Sequence, residues 1–366
     1  MNGFPERLRQ VDLTRVEWRG RRWFYFGGCD YFRLSRHPRV IAAAREALET
    51  HGFGVAASRL TTGNHPLFAE LETWLARFFH AERALLVDSG YATNSIVARA
   101  LAGDVTRAFL DAHAHASLRD AASELDCAVV EFQHCEPDDL RRRLRRLPAR
   151  ARPLILTDGV FSHDGSLAPL AAYLELLPKA GRLLVDDAHG VGTLGKHGRG
   201  TLEECGVRDP RIVCTGTLSK AFGSFGGFVL GNRALIDRIV TSSRWFGAST
   251  PIPLPAAAAA LAAGQLIEGD QPMRARLRAN TAKLKATAHA AGFAVPDSPA
   301  PMIGVVLPEP ATNAHLRRAL LARGVYPSHI RYPGGPPGGY FRFAISSEHR
   351  PEELDRLADA LRAVAR

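Results

Sequence analysis

Short apolar runs that end in polar or small residues alternate along this chain with stretches whose apolar residues recur every three or four positions. ALLVDSG (84–90), TRAFLDA (106–112), CAVVEF (127–132), PLILTDG (153–159), GRLLVDDAH (181–189) and RIVCTGT (211–217) are of the first kind and predict buried strands. PRVIAAAREALETHG (38–52) and HPLFAELETWLARFFH (65–80) are of the second kind and predict helices. The alternation predicts an α/β fold built on a mostly parallel sheet that is buried on both faces. In such a sheet the polar strand ends line one edge, where ligands bind. The chemistry is sought there.

Past residue 250 the pattern changes. PIPLPAAAAALAAGQLIEG (251–269) reads as a proline-rich turn entering a long helix, and MIGVVL (302–307) and FRFAIS (341–346) read as strands of a second, smaller α/β domain. The expected organisation is an N-terminal segment (1–50), a large domain (51–248) and a small C-terminal domain (249–366). With 366 residues, 46% of them hydrophobic, the chain can fill cores of that size.

Composition narrows the partners. There is no run of about 18 apolar residues, and the start MNGFPERLRQVDLTR lacks the apolar stretch of a secretory signal, so a cytoplasmic protein without a membrane segment is expected. Cys29, Cys127, Cys135, Cys205 and Cys214 are odd in number and lack C-x-x-C spacing, which predicts reduced thiols and no metal site. The net charge of +10 rests mostly on dispersed arginines. Their densest cluster, RRRLRRLPARAR (141–152), reads as part of a leucine-spaced helix. It is either a solvated face with the leucines turned inward or a patch for a polyanion or phosphate-bearing substrate. Nothing in the spacing suggests a zinc finger or helix-turn-helix, so no nucleic acid is expected.

Two strand ends carry candidate chemistry. In TGTLSKAFGSFGG (215–227), Thr217 and Lys220 are spaced as if one helical turn apart, followed by Gly223, Gly226 and Gly227. Lys220 is either a surface lysine beside a flexible loop or the amine that forms a Schiff base with a carbonyl cofactor, with nearby hydroxyls on a phosphate. In LLVDDAHGVGTLGKHGRG (183–200), Asp186 and His189 leave one strand end. They are either a turn cap and a structural histidine, or the carboxylate that keeps a pyridine nitrogen protonated and a hydrogen-bonding partner of the ring's phenolic oxygen.

SRLTTGNHPLFAELE, TDGVFSHDGSLAPL, VDDAHGVGTLGKHGRGT and TGTLSKAFGSFGG, taken in order, resemble the motifs of the α-oxoamine synthases, and the similarity runs from about residue 27 to residue 349. That family consists of pyridoxal 5'-phosphate enzymes of the aspartate-aminotransferase fold (fold type I). The resemblance implies Lys220 as the Schiff-base lysine, Asp186 on the ring nitrogen, and His189 with Ser162 on the phenolic oxygen. It implies His115 stacked on the ring in preference to His113. The turn Ser89, Gly90, Tyr91 and the hydroxyl of Thr217 would hold the phosphate, joined by Ser249 and Thr250 from the neighbouring subunit of a homodimer whose sites lie at the interface. Arg342 would clamp an amino-acid carboxylate; otherwise it is an arginine on a strand of the small domain.

The implied reaction condenses an amino acid with an acyl thioester, of CoA or a carrier protein. Transamination or decarboxylation without a thioester is the alternative, and a ligand-sensing regulator is a third. Where the family reads N-D-Y-L-G-L, this chain has Cys29-Asp30-Tyr31-Phe32-Arg33-Leu34, so the substrate pocket is expected to be altered at Cys29 and Arg33. FSHDG carries His163 where methionine is common, a change expected to be neutral.

Overall fold

The computed structural model describes residues 6–331 and 336–365. Near the N-terminus, β1 (Arg9–Gln10), β2 (Arg15–Trp18) and β3 (Arg21–Phe24) form a small antiparallel sheet. The predicted apolar runs then appear as β4 (Arg83–Val87), β5 (Arg107–Asp111), β6 (Val129–Phe132), β7 (Pro153–Asp158), β8 (Arg182–Asp186) and β9 (Ile212–Thr217). Together with β10 (Gly227–Gly231) they make a seven-stranded sheet in the order β4-β10-β9-β8-β7-β5-β6. Strands β5 to β9 pair in parallel, whereas β10 runs antiparallel to both β9 and β4. The last strands, β11 (Met302–Val305), β12 (His329–Ile330) and β13 (Tyr340–Ala344), form a separate antiparallel sheet.

Successive residues of the central strands serve opposite faces. Leu110, Leu154, Leu156 and Leu184 join one core with Ile96, Val97 and Leu118. Phe109, Ile155, Leu183 and Val185 join another with Leu140, Tyr173 and Leu174. Burial on both sides is why these strands read as continuous apolar runs.

The helices that frame the sheet are α1 (Pro38–His51), α2 (Pro66–Phe78), α3 (Ala92–Leu101), α4 (Ala116–Ser123) and α5 (Pro137–Leu144). The arginine cluster 141–152 is helical only through Leu144, because the chain turns there before Pro148. Leu140 is buried, Leu144 and Leu147 pack behind it, and Arg142 and Arg143 pair with Asp139, as a solvated face requires.

The compact units divide elsewhere than at residue 248. One holds Leu34–Ser162 and Leu167–Gln271, and the other holds the N-terminal segment to Arg33, His163–Ser166 and the chain from Pro272 onward. The helix Leu254–Gly269 stays with the large unit because it packs on α1 and α2. There Glu268 accepts from the Trp74 indole (3.1 Å) and pairs with Arg77 (2.7 Å), while a Cβ on Gly264 would lie 2.5 Å from the Trp74 ring.

In the other unit, His349 stacks on Phe26 (ring centroids 4.1 Å apart). The Ser346 N–H donates to its Nδ1 (2.9 Å), which leaves Nε2–H to donate to the Tyr25 carbonyl (3.1 Å). Burial, with the Arg33 charge adding to it, lowers its pKa from 6.5 to about 3. Between those values the unfolded chain binds more protons than the folded one. This stability is therefore present above about pH 6.5 and lost as pH falls toward 3. Relative to His349→Gln, the parent is expected to lose about 2 kcal/mol between pH 7 and pH 5. Urea melts at the two pH values check this, and equal losses in parent and variant would refute it.

Candidate active site

The carboxyl ends of β4, β5, β7, β8 and β9 carry most of the residues singled out in the sequence. Asp186 closes β8, in register with Asp158 of β7. Its Oδ2 accepts from Asn94 Nδ2 (2.6 Å) and Ser117 Oγ (3.3 Å), and its Oδ1 from the Ala188 N–H (3.1 Å). Asn94 is fully buried on α3; its Nδ2 also donates to Ser117 Oγ (3.0 Å), and its Oδ1 accepts from Thr215 Oγ1 (2.7 Å). With both ends of the amide engaged its orientation is fixed, and it fixes the Asp186 carboxylate in turn. Burial, and after it the Asp186 charge, push the Asp158 carboxyl well above the usual carboxylate range.

Lys220 follows β9 in a turn rather than a helix, with the Gly223 N–H donating to its carbonyl (2.9 Å). Its Nζ lies 2.8 Å from Nε2 of the buried His189. Thr217, the last residue of β9, donates from Oγ1 to the Gly226 carbonyl (3.0 Å) and accepts from the Ser219 N–H (3.1 Å).

Ser89, Gly90 and Tyr91 make the turn from β4 into α3, and no side chain caps that helix. A Cβ on Gly90 would lie 2.6 Å from Thr217 Oγ1, so glycine alone lets this turn close on the hydroxyl. The Tyr91 N–H donates to Ser89 Oγ (3.2 Å) and the Ala92 N–H to the Ser89 carbonyl (3.2 Å), and a helix start of this kind beside a hydroxyl suits a phosphate. Gly90→Ala is expected to push the two apart and weaken cofactor binding about tenfold or more, given the ~1–3 kcal/mol typical of overpacking. Titration of the stripped protein with pyridoxal 5'-phosphate checks this; an unchanged affinity would remove the turn from the site.

His115 precedes α4. Its N–H donates to Asp158 Oδ2 (2.9 Å), its Nδ1 meets Ser117 Oγ (2.8 Å), and its ring lies edge-on to Tyr91 at 6.0 Å. His113 turns away and stacks on His134 (4.1 Å). Ser162 is half-buried in the loop after β7. Ser249 and Thr250 lie with Arg59, Asp88 and Ile252 around a cavity of about 20 Å³ at the end of β4.

Cys29 and Arg342 belong to the other unit, where Tyr31 connects them. The Tyr31 phenol is fully buried and is raised well above its ordinary pKa by that burial first; Cys29, through its charge and a hydrogen bond, raises it further and Arg342 opposes. Arg33 is buried with φ 55°, in the left-handed region that explains why glycine is the usual residue there. The sequence reading missed Asn94, Ser117, Asp158, Thr215 and Tyr31. For Asn94 the available signal was an amide inside the small and apolar run of YATNSIVARA.

A strand-end lysine, a clamped carboxylate beside a second buried one, and a glycine turn at the start of a helix are groups that pyridoxal phosphate would fit. Residues 24–361 match the family Aminotransferase class I and II. The chain is 36% identical over 371 residues to 8-amino-7-oxononanoate synthase of Trichlorobacter lovleyi, covering 100% of this chain and 95% of the relative. It is 40% identical over 353 residues to the enzyme of the same name from Bordetella petrii, covering 93% and 88%. A serine palmitoyltransferase from S. paucimobilis with bound PLP–myriocin aldimine superposes with a TM-score of 0.92 at 30% identity, covering 100% of this chain and 94% of that one. The chain belongs to the aminotransferase class I and II family and, within it, to the α-oxoamine synthases, which are pyridoxal-phosphate-dependent acyltransferases.

Proposed function

We propose that this chain condenses an amino acid with an acyl thioester, of CoA or a carrier protein, to give an α-oxoamine, in the manner of an 8-amino-7-oxononanoate synthase. The observation that carries the reading is the convergence, at neighbouring strand ends, of the Asn94-held Asp186 carboxylate and the Lys220–His189 pair.

When bound, pyridoxal 5'-phosphate supplies a reactive carbonyl and a ring that accepts the electron pair left on the amino acid's Cα. Lys220 Nζ would hold that carbonyl carbon and would accept the Cα proton. His189 Nε2, 2.8 Å from the Lys220 amine, would steer it and, with Ser162, would bond the phenolic oxygen. Asp186 would hold a proton at the ring nitrogen, and His115 would lie against the ring. Ser89, Gly90, Tyr91 and Thr217 would hold the phosphate, joined by Ser249 and Thr250 from the neighbouring subunit of a homodimer. Arg342 clamps the substrate carboxylate, which fixes the Cα bond to be broken.

Among the described residues no helix is long and apolar enough to cross a membrane, in keeping with a cytoplasmic enzyme. The deciding experiment follows free thiol from a panel of acyl thioesters while amino acids are varied. Amino-acid-dependent thiol release supports the condensation. Amino-group transfer or loss of CO₂ without thiol release would replace it with the alternative chemistries.

Arg342→Ala is expected to weaken all amino-acid substrates alike, by the loss of a charge-assisted bond worth about 1.5–3 kcal/mol. Cys29→Asn is expected instead to reorder them. KM across one panel for both variants checks this, and an unchanged order in Cys29→Asn would leave Cys29 a packing residue.

A further inference from the structure

A second cluster of chemically active side chains forms where β5 and β6 end, and the proposed reaction does not use it. Asp111, the last residue of β5, is fully buried. Its Oδ1 accepts from the His113 N–H (2.8 Å) and pairs with His134 Nδ1 (2.8 Å), while its Oδ2 accepts from the Cys135 N–H (3.0 Å). His134 and Cys135 leave β6, whose Phe132 is in register with Asp111. A carboxylate oxygen, an imidazole nitrogen and the thiol sulfur of Asp111, His134 and Cys135 lie within 4.8 Å of one another. Cys135 is held there with φ 54°, an uncommon conformation for a non-glycine residue. The His134 ring is fixed between His113, stacked at 4.1 Å, and the edge of Phe161 at 4.4 Å.

A separate observation points to a ligand at this place. Tyr173, in the helix Leu170–Leu176, is fully buried, and its phenol oxygen has no hydrogen-bond partner among the described residues. Its ring lies edge-on to Phe132 at 5.6 Å, and Phe132 is the residue of β6 in register with Asp111. Buried hydroxyls almost always find an acceptor.

We propose that Asp111, His134 and Cys135 bind a divalent transition metal of the zinc class, with a water in the fourth position that accepts from the Tyr173 hydroxyl. Mixed N, O and S donors select zinc over magnesium or calcium. One carboxylate and one thiolate cancel the two positive charges, so a buried site stays neutral overall. On binding, the metal replaces the hydrogen bond between His134 Nδ1 and Asp111 Oδ1, the imidazole proton moving from Nδ1 to Nε2, and the Cys135 thiol gives up its bond to the Leu167 carbonyl (3.6 Å) and releases its proton to solvent. The His113 and Cys135 N–H groups continue to orient the carboxylate from behind. The metal would tie the edge strand β6 to β5, without part in acyl transfer. Because the three ligands come from two strand ends and not from one spaced motif, the sequence pattern does not announce them.

The test uses the holoenzyme, dialysed against a chelator and titrated with Zn²⁺, with metal content by mass spectrometry and zinc-edge X-ray absorption on the loaded sample. One zinc per chain with a single sulfur neighbour is expected. Cys135→Ala is expected to lower affinity about 100-fold and Tyr173→Phe about 10-fold or more, as loss of a ligand and of an outer partner do. Cofactor content and thiol release should be unchanged in Cys135→Ala, which keeps this result separate from the reading of the Lys220 site. Zinc binding that Cys135→Ala leaves intact would place the metal elsewhere and overturn the proposal. So would a zinc shell without sulfur, or no binding by the parent, either of which would leave Tyr173 facing water alone. Should Cys135→Ala fold poorly, the absorption spectrum of the parent still decides.

Discussion

On the proposed mechanism, replacing Lys220 by alanine is expected to lower turnover by about 10³-fold or more, since positioned proton transfer alone contributes about 10²–10⁴ and this side chain would also anchor the cofactor. Lys220→Arg should not rescue it, because a guanidinium stays protonated and can neither anchor a carbonyl carbon nor accept a Cα proton. The fold should survive both changes, as Lys220 is half-buried in a turn, where its Nζ meets Nε2 of His189. Borohydride reduction of the holoenzyme, followed by peptide mass mapping, reads the anchor directly. The chain has five lysines: Lys179, Lys196, Lys220, Lys283 and Lys285. Lys285 is the instructive competitor, because burial lowers its pKa to about 8 and so leaves part of it an uncharged amine in mildly basic buffer. Its Nζ, however, donates to the Pro296 carbonyl (3.2 Å) and to the carbonyl (2.6 Å) and Oγ (2.8 Å) of Ser298. Those acceptors hold it in place. A label on Lys285 in place of Lys220 would sink the assignment, and near-normal turnover by Lys220→Ala would do the same.

The large sheet was legible because its strands are buried on both faces. PLILTD is buried at every position, and a run of that kind needs no alternation to be read as a strand. β10 was not legible: GFVLG is short, begins and ends in glycine, and follows a glycine-rich turn that reads as loop. The N-terminal hairpin was hidden for a different reason. Its two-residue turn is Arg19-Gly20, with φ 52° and 72°, where asparagine or aspartate before glycine is the usual signal. Among the candidate site residues, Lys220, Asp186 and His189 stood out because polar residues follow apolar runs. The residues that hold them did not. Asn94, Ser117 and Thr215 lie on two helices and a neighbouring strand, and only tertiary packing brings Asn94 and Ser117 onto one carboxylate with Thr215 bonded behind Asn94. The same limit applies to Asp158, whose raised pKa comes from burial and from the neighbouring Asp186.

That hidden support yields the second large effect, a graded pair of variants. Asp186→Asn keeps the shape of the side chain but removes the carboxylate that, on the proposed mechanism, would hold a proton on the ring nitrogen. The exchange of the substrate Cα proton should then slow by about 10²–10³-fold, the scale of losing one preorganised electrostatic partner. Asn94→Ala leaves the charge and removes one short hydrogen bond to it, 2.6 Å long, together with the link to Thr215. A hydrogen bond to a charged group contributes about 1.5–3 kcal/mol, so this variant should slow exchange by about 10- to 100-fold. Asn94→Gln, which retains the amide on a longer stem in a fully buried position, should not restore the parent rate. The readout is loss of the Cα deuteron from labelled amino acid by the holoenzyme, at saturating cofactor, so that weaker cofactor binding does not enter. Two outcomes would refute the arrangement. If Asp186→Asn exchanges as fast as the parent, this carboxylate is not the ring's partner, and Asp158, its neighbour in register, becomes the group to test. If Asn94→Ala matches the parent while Asp186→Asn is slow, the carboxylate acts without its clamp, and the buried Asn94–Thr215 network serves the packing of α3 on the sheet alone.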